Sequence, residues 1–428
     1  MKNKKETLLI LTILITICII IFNRDKLYEA KYTEPKDTLL AITINGEIST
    51  TFPTTKYYET SVECTTGTGK VEWNGTKWVL TTNGITKGST KCNATFITKV
   101  PTFAETILAN NKVKAPITTP GATISTASEA LLASTEDDYG TSYYFRGAVT
   151  NNYVEFANKC WRIVRVGGDG SVKLILHNDN PTGAANPCDA ANNSASAAFA
   201  HYNYSTYTSR FNENYDDNAY IGFKYGTPGS SKYETTHANT NKSTILTNLE
   251  TWYTNNLKTY ESVIDDTVWC NDKTNVTDTS YDPWSITPNG LGYAKNVTYY
   301  GATKRLVGTS GSAGGTGPSL KCNGELSKIN SKVGLITADE LAFAGYAYNI
   351  GNTTTYLQEN ATNTYWWSLS PYGFDVGSAG VWGVNGSAGY FDNYNVRGTY
   401  GVRPLISLKS TTNVTGEGTS SAPYIISM

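Results

Sequence analysis

The stretch from Tyr365 to Leu408, YWWSLSPYGFDVGSAGVWGVNGSAGYFDNYNVRGTYGVRPLISL, decides how this chain is read. It opens on the pair Trp366–Trp367 and on Ser370-Pro371. It closes on Gly401-Val402-Arg403-Pro404 followed by the short apolar run Leu405 to Leu408. Between these ends Gly, Ser, Asn, Asp and aromatic residues follow no helical period. A segment with rigid ends and a permissive, aromatic-rich middle suits the display of contact residues on a scaffold. It suits the holding of a cofactor much less well.

Composition points the same way. The formal net charge is −1 and only 17% of residues are charged, so no broad attraction to nucleic acid or anionic lipid is expected. Thirty tyrosines sit among abundant Thr, Asn, Ser and Gly, the mixture that gives antibody-like paratopes contact area at low entropic cost.

At the N-terminus, Lys2, Lys4 and Lys5 precede an apolar run from Leu8 to Phe22, and Arg24, Asp25 and Lys26 follow it. The positive-inside rule reads residues 1–28 as a signal anchor, a single membrane pass with the N-terminus in the cytoplasm and the bulk of the chain extracellular. The run is shorter than the ~20 residues of a full span, so a cleaved signal peptide is the competing reading. Cys18 lies inside the run. The other six cysteines, Cys64, Cys92, Cys160, Cys188, Cys270 and Cys322, are an even set, which in an exported chain reads as disulfides. Nearest-neighbour pairing, 64–92, 160–188 and 270–322, places one bridge in each successive module. Zinc is the alternative, but no CxxC occurs and His177, His201 and His237 are the only histidines.

Beyond a short polar stalk, residues 39–100 read as a small all-β, sandwich-like domain, with Trp73-Asn74-Gly75-Thr76 as a type I′ hairpin turn and Trp73 and Trp78 as packing residues. Residues 101–138 read as a linker with short helices, because Thr102/Glu105 and Thr126/Glu129 both fit a capping box. From 139 onward, Tyr143–Val149 and Tyr153–Phe156 read as one hairpin, and Cys160–Val166 and Ser171–Leu176 as another. Ser243 caps a helix with apolar residues at three- and four-residue steps, and Thr337/Glu340 opens a second.

The order CWRIVRV, GSVKLIL, Trp252-Tyr253, Trp269-Cys270-Asn271-Asp272, GLITADELAFAGY, WWSLSP and GVRPLISL resembles bacterial surface proteins with a C-type-lectin-like C-terminal domain. These are similar in outline to formylglycine-generating-enzyme-like folds and to the variable proteins of diversity-generating retroelements. The resemblance implies an α+β fold: a membrane helix, the small β-sandwich-like domain, then a C-type-lectin-like domain over 139–428 with a twisted antiparallel sheet and two helices. It also implies a ligand-binding loop face at Tyr372, Phe374, Asp375, Trp382, Asn385, Tyr390, Asp392, Tyr394, Asn395 and Arg397. Trp366, Trp367, Pro371, Val402, Arg403 and Pro404 match the frame and read as structural, with Arg403 in a buried hydrogen-bonded or salt-bridged contact.

The implied function is a membrane-anchored cell-surface binder of an extracellular glycan or protein, adhesin-like, with diversification undecided by a protein sequence. A structural envelope or pilus-associated subunit is the runner-up. An enzyme is the minority reading: no cysteine follows Cys322 to supply the copper-binding pair of the formylglycine-generating enzymes, and the histidines lie in no recognisable nucleophile motif. Asp339 and Glu340 suit the first turn of a helix better than a glycosidase pair. No cofactor is expected; calcium at Asp272, Asp278 and Asp282 is the alternative.

Overall fold

Alternating apolar and polar residues, with turn residues between them, build the first of two units. The structure, a computed structural model, describes residues 39–86, 88–202 and 205–428. One unit ends at Pro101 and the other runs from Thr102 to Met428. In the first, β1 (Leu39–Ile44), β2 (Glu47–Ser49), β3 (Tyr58–Cys64) and β6 (Lys91–Thr98) form a sheet in the order β2-β1-β6-β3. A hairpin of β4 (Thr68–Trp73) and β5 (Trp78–Asn83) lays Val71 and Trp78 against Ile42, Ala94 and Phe96. Trp73 and Trp78 are a cross-strand pair with ring centroids 5.5 Å apart, and Trp78 meets Phe96 at 5.3 Å. Cys64 and Cys92 are register partners on β3 and β6, joined by a disulfide.

The turn at Asn74-Gly75 is not type I′. Trp73 pairs with Trp78, which leaves a four-residue loop, and only Gly75 has a positive φ. Asn74 Oδ1 accepts from the Thr76 and Lys77 amides, so its side chain folds the loop where a left-handed backbone was expected.

The larger unit begins with α1 (Phe103–Asn110), opened by the capping box foreseen at Thr102/Glu105, and Phe103 and Ile107 enter the core. β7 (Ala130–Asp137) pairs along its whole length with β8 (Gly140–Gly147). The segment read as a linker thus contributes a helix and a strand. No helix follows Thr126, because Glu129 is buried beside Arg146 at 3.0 Å and Ala130 already lies in β7. β8 pairs with β7 and with the end of β10 (Lys159–Val166), while β9 (Tyr153–Phe156) pairs with the start of β10. The hairpin expected between Tyr143–Val149 and Tyr153–Phe156 is therefore replaced by two strands sharing one neighbour. β10 and β11 (Val172–Asn178) do form the expected hairpin, with Gly170 at φ 82° in the turn. α2 (Thr244–Asn256) starts where Ser243 Oγ accepts from the Leu246 amide and buries Ile245, Leu246, Leu249, Trp252 and Tyr253.

Further on come α3 (Gly301–Leu306) and α4 (Ala338–Ala344), with the ribbon of β12 (Thr267–Cys270) and β13 (Lys328–Ser331). The quoted stretch becomes β14 (Trp366–Asp375), β15 (Ser378–Asn385), β16 (Tyr390–Asn395) and β17 (Leu405–Leu408), and the chain ends near β18 (Tyr424–Ile426). One sheet runs β17-β11-β10-β9-β18, and a second carries β14-β15-β16 with Thr298–Tyr299 and Tyr400–Gly401 beside β14. Pro371 sits inside β14 where the register slips on both sides of it, so its missing N–H interrupts no regular ladder.

These elements correct the expected class. The described residues form a predominantly β protein with short helices, not the α+β molecule with a membrane helix that was expected. The run assigned to a membrane anchor lies outside the described residues, and among the described residues no helix is long and apolar enough to cross a membrane. The single-pass placement is therefore withdrawn. The three expected disulfides are present: Cys64–Cys92, Cys160–Cys188 and Cys270–Cys322.

Candidate ligand-binding surfaces

β14 and β15 are interior strands, and that divides the ten residues assigned to the binding face. Tyr372, Phe374 and Trp382 are core residues, not contact residues: their exposures are 3%, 1% and 0%. Tyr372 and Trp382 meet at 5.2 Å, Trp382 stacks on Phe391 at 4.6 Å, and Tyr348 closes the cluster at 5.7 Å. The strand has neighbours on both edges and packed layers on both faces, so its aromatics have no outward side.

Asp375, Asn385, Asp392 and Tyr394 are half-buried. Burial raises the Asp375 and Asp392 carboxyls above the ordinary carboxylate range. Asn385 Oδ1 accepts from Ser387 N and Oγ, which shapes the β15–β16 turn, and Asn395 Oδ1 accepts from the Arg397 amide, which shapes the next one. Tyr390, Asn395 and Arg397 are exposed. Arg397 carries its guanidinium over the Tyr215 ring at 4.7 Å.

The structure adds two aromatics that the sequence reading passed over. Tyr365 lies 5.0 Å from Tyr394 and 5.2 Å from Tyr400, and Tyr394 and Tyr400 are 5.5 Å apart. Trp367, buried beneath, supports Tyr400 at 4.8 Å and donates its indole N–H to Ser209 O. This gives a tyrosine platform seated on a fixed tryptophan. Arg403 sits in the core as expected, and its partners are carbonyls: Nη1 donates to Leu357 O and Nη2 to Leu176 O, with the Trp366 ring 4.7 Å away. Burial brings its guanidinium down to about 10.

A cleft of about 390 Å³ lies elsewhere in the same unit, lined by residues from distant stretches. The end of β7 supplies Asp137, β10 supplies Arg165, β11 supplies Lys173, α3 supplies Arg305, and α4 supplies Asp339 and Glu340. Asp272 follows β12, and the Cys270–Cys322 bridge forms part of the wall. Lys173 Nζ is 2.7 Å and Arg165 Nε 3.0 Å from Glu340 Oε1. Arg165 also reaches Asp137 at 2.9 Å, while Arg305 binds Asp272 at 2.7 Å and takes Asp339 in a two-toothed grip at 2.7 and 2.8 Å. Burial alone would raise the Glu340 carboxyl, but Lys173 and Arg165 hold it down at about 2. Asp339 and Glu340 are thus tied into an ion network, beyond the first-turn role read from sequence.

The remaining polar candidates are engaged locally. Asp278 pairs with Lys304 and accepts from Ser280, and Asp282 accepts from Ile286 N and Thr287. His177 is buried against Asn360, His237 Nε2 lies 2.7 Å from Gly292 O, and His201 is 3.5 Å from Asp179. No family model, curated protein or solved structure matches the chain.

Proposed function

We propose that this protein is a binder whose contact surface is the tyrosine-bearing face of the β14–β16 sheet, taking a glycan or a protein ligand. The observation that carries this reading is the Tyr365–Tyr394–Tyr400 cluster, half-open to solvent above Trp367, with Arg397 and Tyr390 exposed on the same segment. Tyr and Arg on a rigid base have the composition of interface hot spots, and two-torsion tyrosines lose little entropy when a partner immobilises them. The three disulfides agree with an oxidising environment, in which such bridges persist.

The test is a screen of the protein on glycan and protein arrays, repeated with Tyr365, Tyr390 and Arg397 replaced together by Ala. Loss of capture with an unchanged melting temperature is expected. Capture that survives the triple substitution would move the contact surface elsewhere, and a large drop in melting temperature would make these residues part of the fold.

A further inference from the structure

The charged cleft has a hydrogen-bonding imbalance. Each oxygen of its four buried carboxylates accepts at least one hydrogen bond. Glu340 Oε1 accepts from Lys173 and Arg165, and Oε2 from the Thr337 amide. Asp339 Oδ1 accepts from Arg305 Nε and the Ser319 amide, and Oδ2 from Arg305 Nη2. Asp137 Oδ1 accepts from the Tyr139 amide, and Oδ2 from Arg165 and the Gly168 amide. Asp272 Oδ1 accepts from the Thr274 amide and Oδ2 from Arg305.

The cations are not saturated. Lys173 is 6% exposed, and among the described residues its three N–H groups have one acceptor, Glu340 Oε1. Arg165 spends Nε and Nη1 and keeps Nη2. Arg305 engages each nitrogen once, leaving one N–H on Nη1 and one on Nη2. Every carboxylate oxygen thus has a donor, whereas the three cations keep N–H groups with no acceptor among the described residues, although the four carboxylates outnumber them. The Lys173 ammonium also lies 4.9 Å from the Trp269 ring, but two of its N–H groups have no oxygen acceptor among the described residues, and an incoming acceptor would relieve the cost of leaving them unpaired.

We infer that the cleft is a binding site for a small hydroxylated carboxylate, distinct from the tyrosine platform. The ligand's carboxylate would take the free N–H groups of Lys173 and Arg165, and charge-assisted bonds of this kind are the stronger class. Ser370 and Ser319, whose oxygens already accept from the Ala338 and Lys321 amides, keep hydroxyl protons for the ligand's own oxygens. Tyr139, 62% exposed on the lining, offers a ring face to the rest of the molecule. The volume falls in the range of small-molecule sites, roughly 300–1,000 Å³.

Titration of the full chain with glucuronate, followed by calorimetry, tests this, with glucuronamide as the uncharged control. Glucuronate is expected to bind and glucuronamide to bind at least tenfold more weakly. Lys173→Met should abolish glucuronate binding. Tyr139→Ala, a change at an exposed side chain that leaves the ion network intact, should weaken binding several-fold even if the lysine variant does not fold. Equal affinity for acid and amide, no binding of either, or undiminished affinity in Tyr139→Ala would overturn the assignment. Because the platform substitutions at Tyr365, Tyr390 and Arg397 lie outside the cleft lining, glucuronate affinity unchanged in that triple variant separates this site from the proposed surface.

Discussion

At the residue scale, the buried polar groups show most clearly what the fold demands. His237 is fully buried, with Nε2 against Gly292 O and the Lys273 ammonium bonded to its own carbonyl. Burial first, and Lys273 second, bring its imidazole down from the ordinary 6.5 to about 3. The folded protein thus keeps a neutral ring where the unfolded chain takes a proton. The stability this contributes is complete above pH 6.5. It drains away as pH falls towards 3, at up to about 1.4 kcal/mol per pH unit, because the unfolded state then binds more protons. His237→Gln, which keeps a donor for Gly292 O, removes that linkage. Denaturant melts taken near pH 7 and near pH 5 should show the wild type losing roughly 2 kcal/mol more than the variant over the interval. Parallel losses would show that His237 already titrates normally in the folded state.

At the element scale, the β14–β15 hairpin carries a local conflict. Asp375 pairs with Ser378, so the loop is Val376-Gly377, with φ of 42° and 78°. That is the pattern of the tight turn suited to right-twisted strands, but it places a β-branched residue in the left-handed region. Val376 is 84% exposed and gains little packing in return. Val376→Asn should therefore stabilise the protein by about 1 kcal/mol, read as a higher denaturant midpoint at unchanged slope. A lower midpoint would mean that the valine is held by a contact the bare turn lacks.

The same scale shows what could be read from the chain. The boxes at Thr102/Glu105 and Thr337/Glu340, the Ser243 cap, the β10–β11 hairpin and the disulfide partners were legible because each rests on residues close in sequence or on simple pairing. The Thr126/Glu129 box failed because Glu129 answers to Arg146 across the β7–β8 pair, a partner that no local pattern announces. Tyr372, Phe374 and Trp382 were placed outside because Gly-rich aromatic sequence looks alike in a loop and in a strand buried on both faces. The cleft was invisible for a related reason. The charges of its ion network come from six separated stretches and carry no spacing motif.

At the scale of the whole molecule, the two units rest on very different cores. The buried core of the first is Ile42, Val71, Trp78, Ala94 and Phe96, whereas that of the second runs from Phe103 to Ile426. Yet Cys64–Cys92 and Cys160–Cys188 each close the same sequence separation, 28. On the chain-entropy account each therefore contributes about 3–4 kcal/mol through the unfolded chain. Equal contributions need not have equal consequences. A domain of about 60 residues buries too little apolar surface to be more than marginal alone, so the first bridge is comparable to the whole stability of its unit. Replacing Cys64 and Cys92 by Ser should abolish hydrogen-exchange protection across residues 39–100. The corresponding change at Cys160 and Cys188 should leave the protection of β10 and β11 in place and lower the melting temperature of that unit by several degrees. Persistent protection of β3 and β6 after loss of their bridge would show that the small core is sufficient by itself, and the weight placed on the disulfide would be wrong.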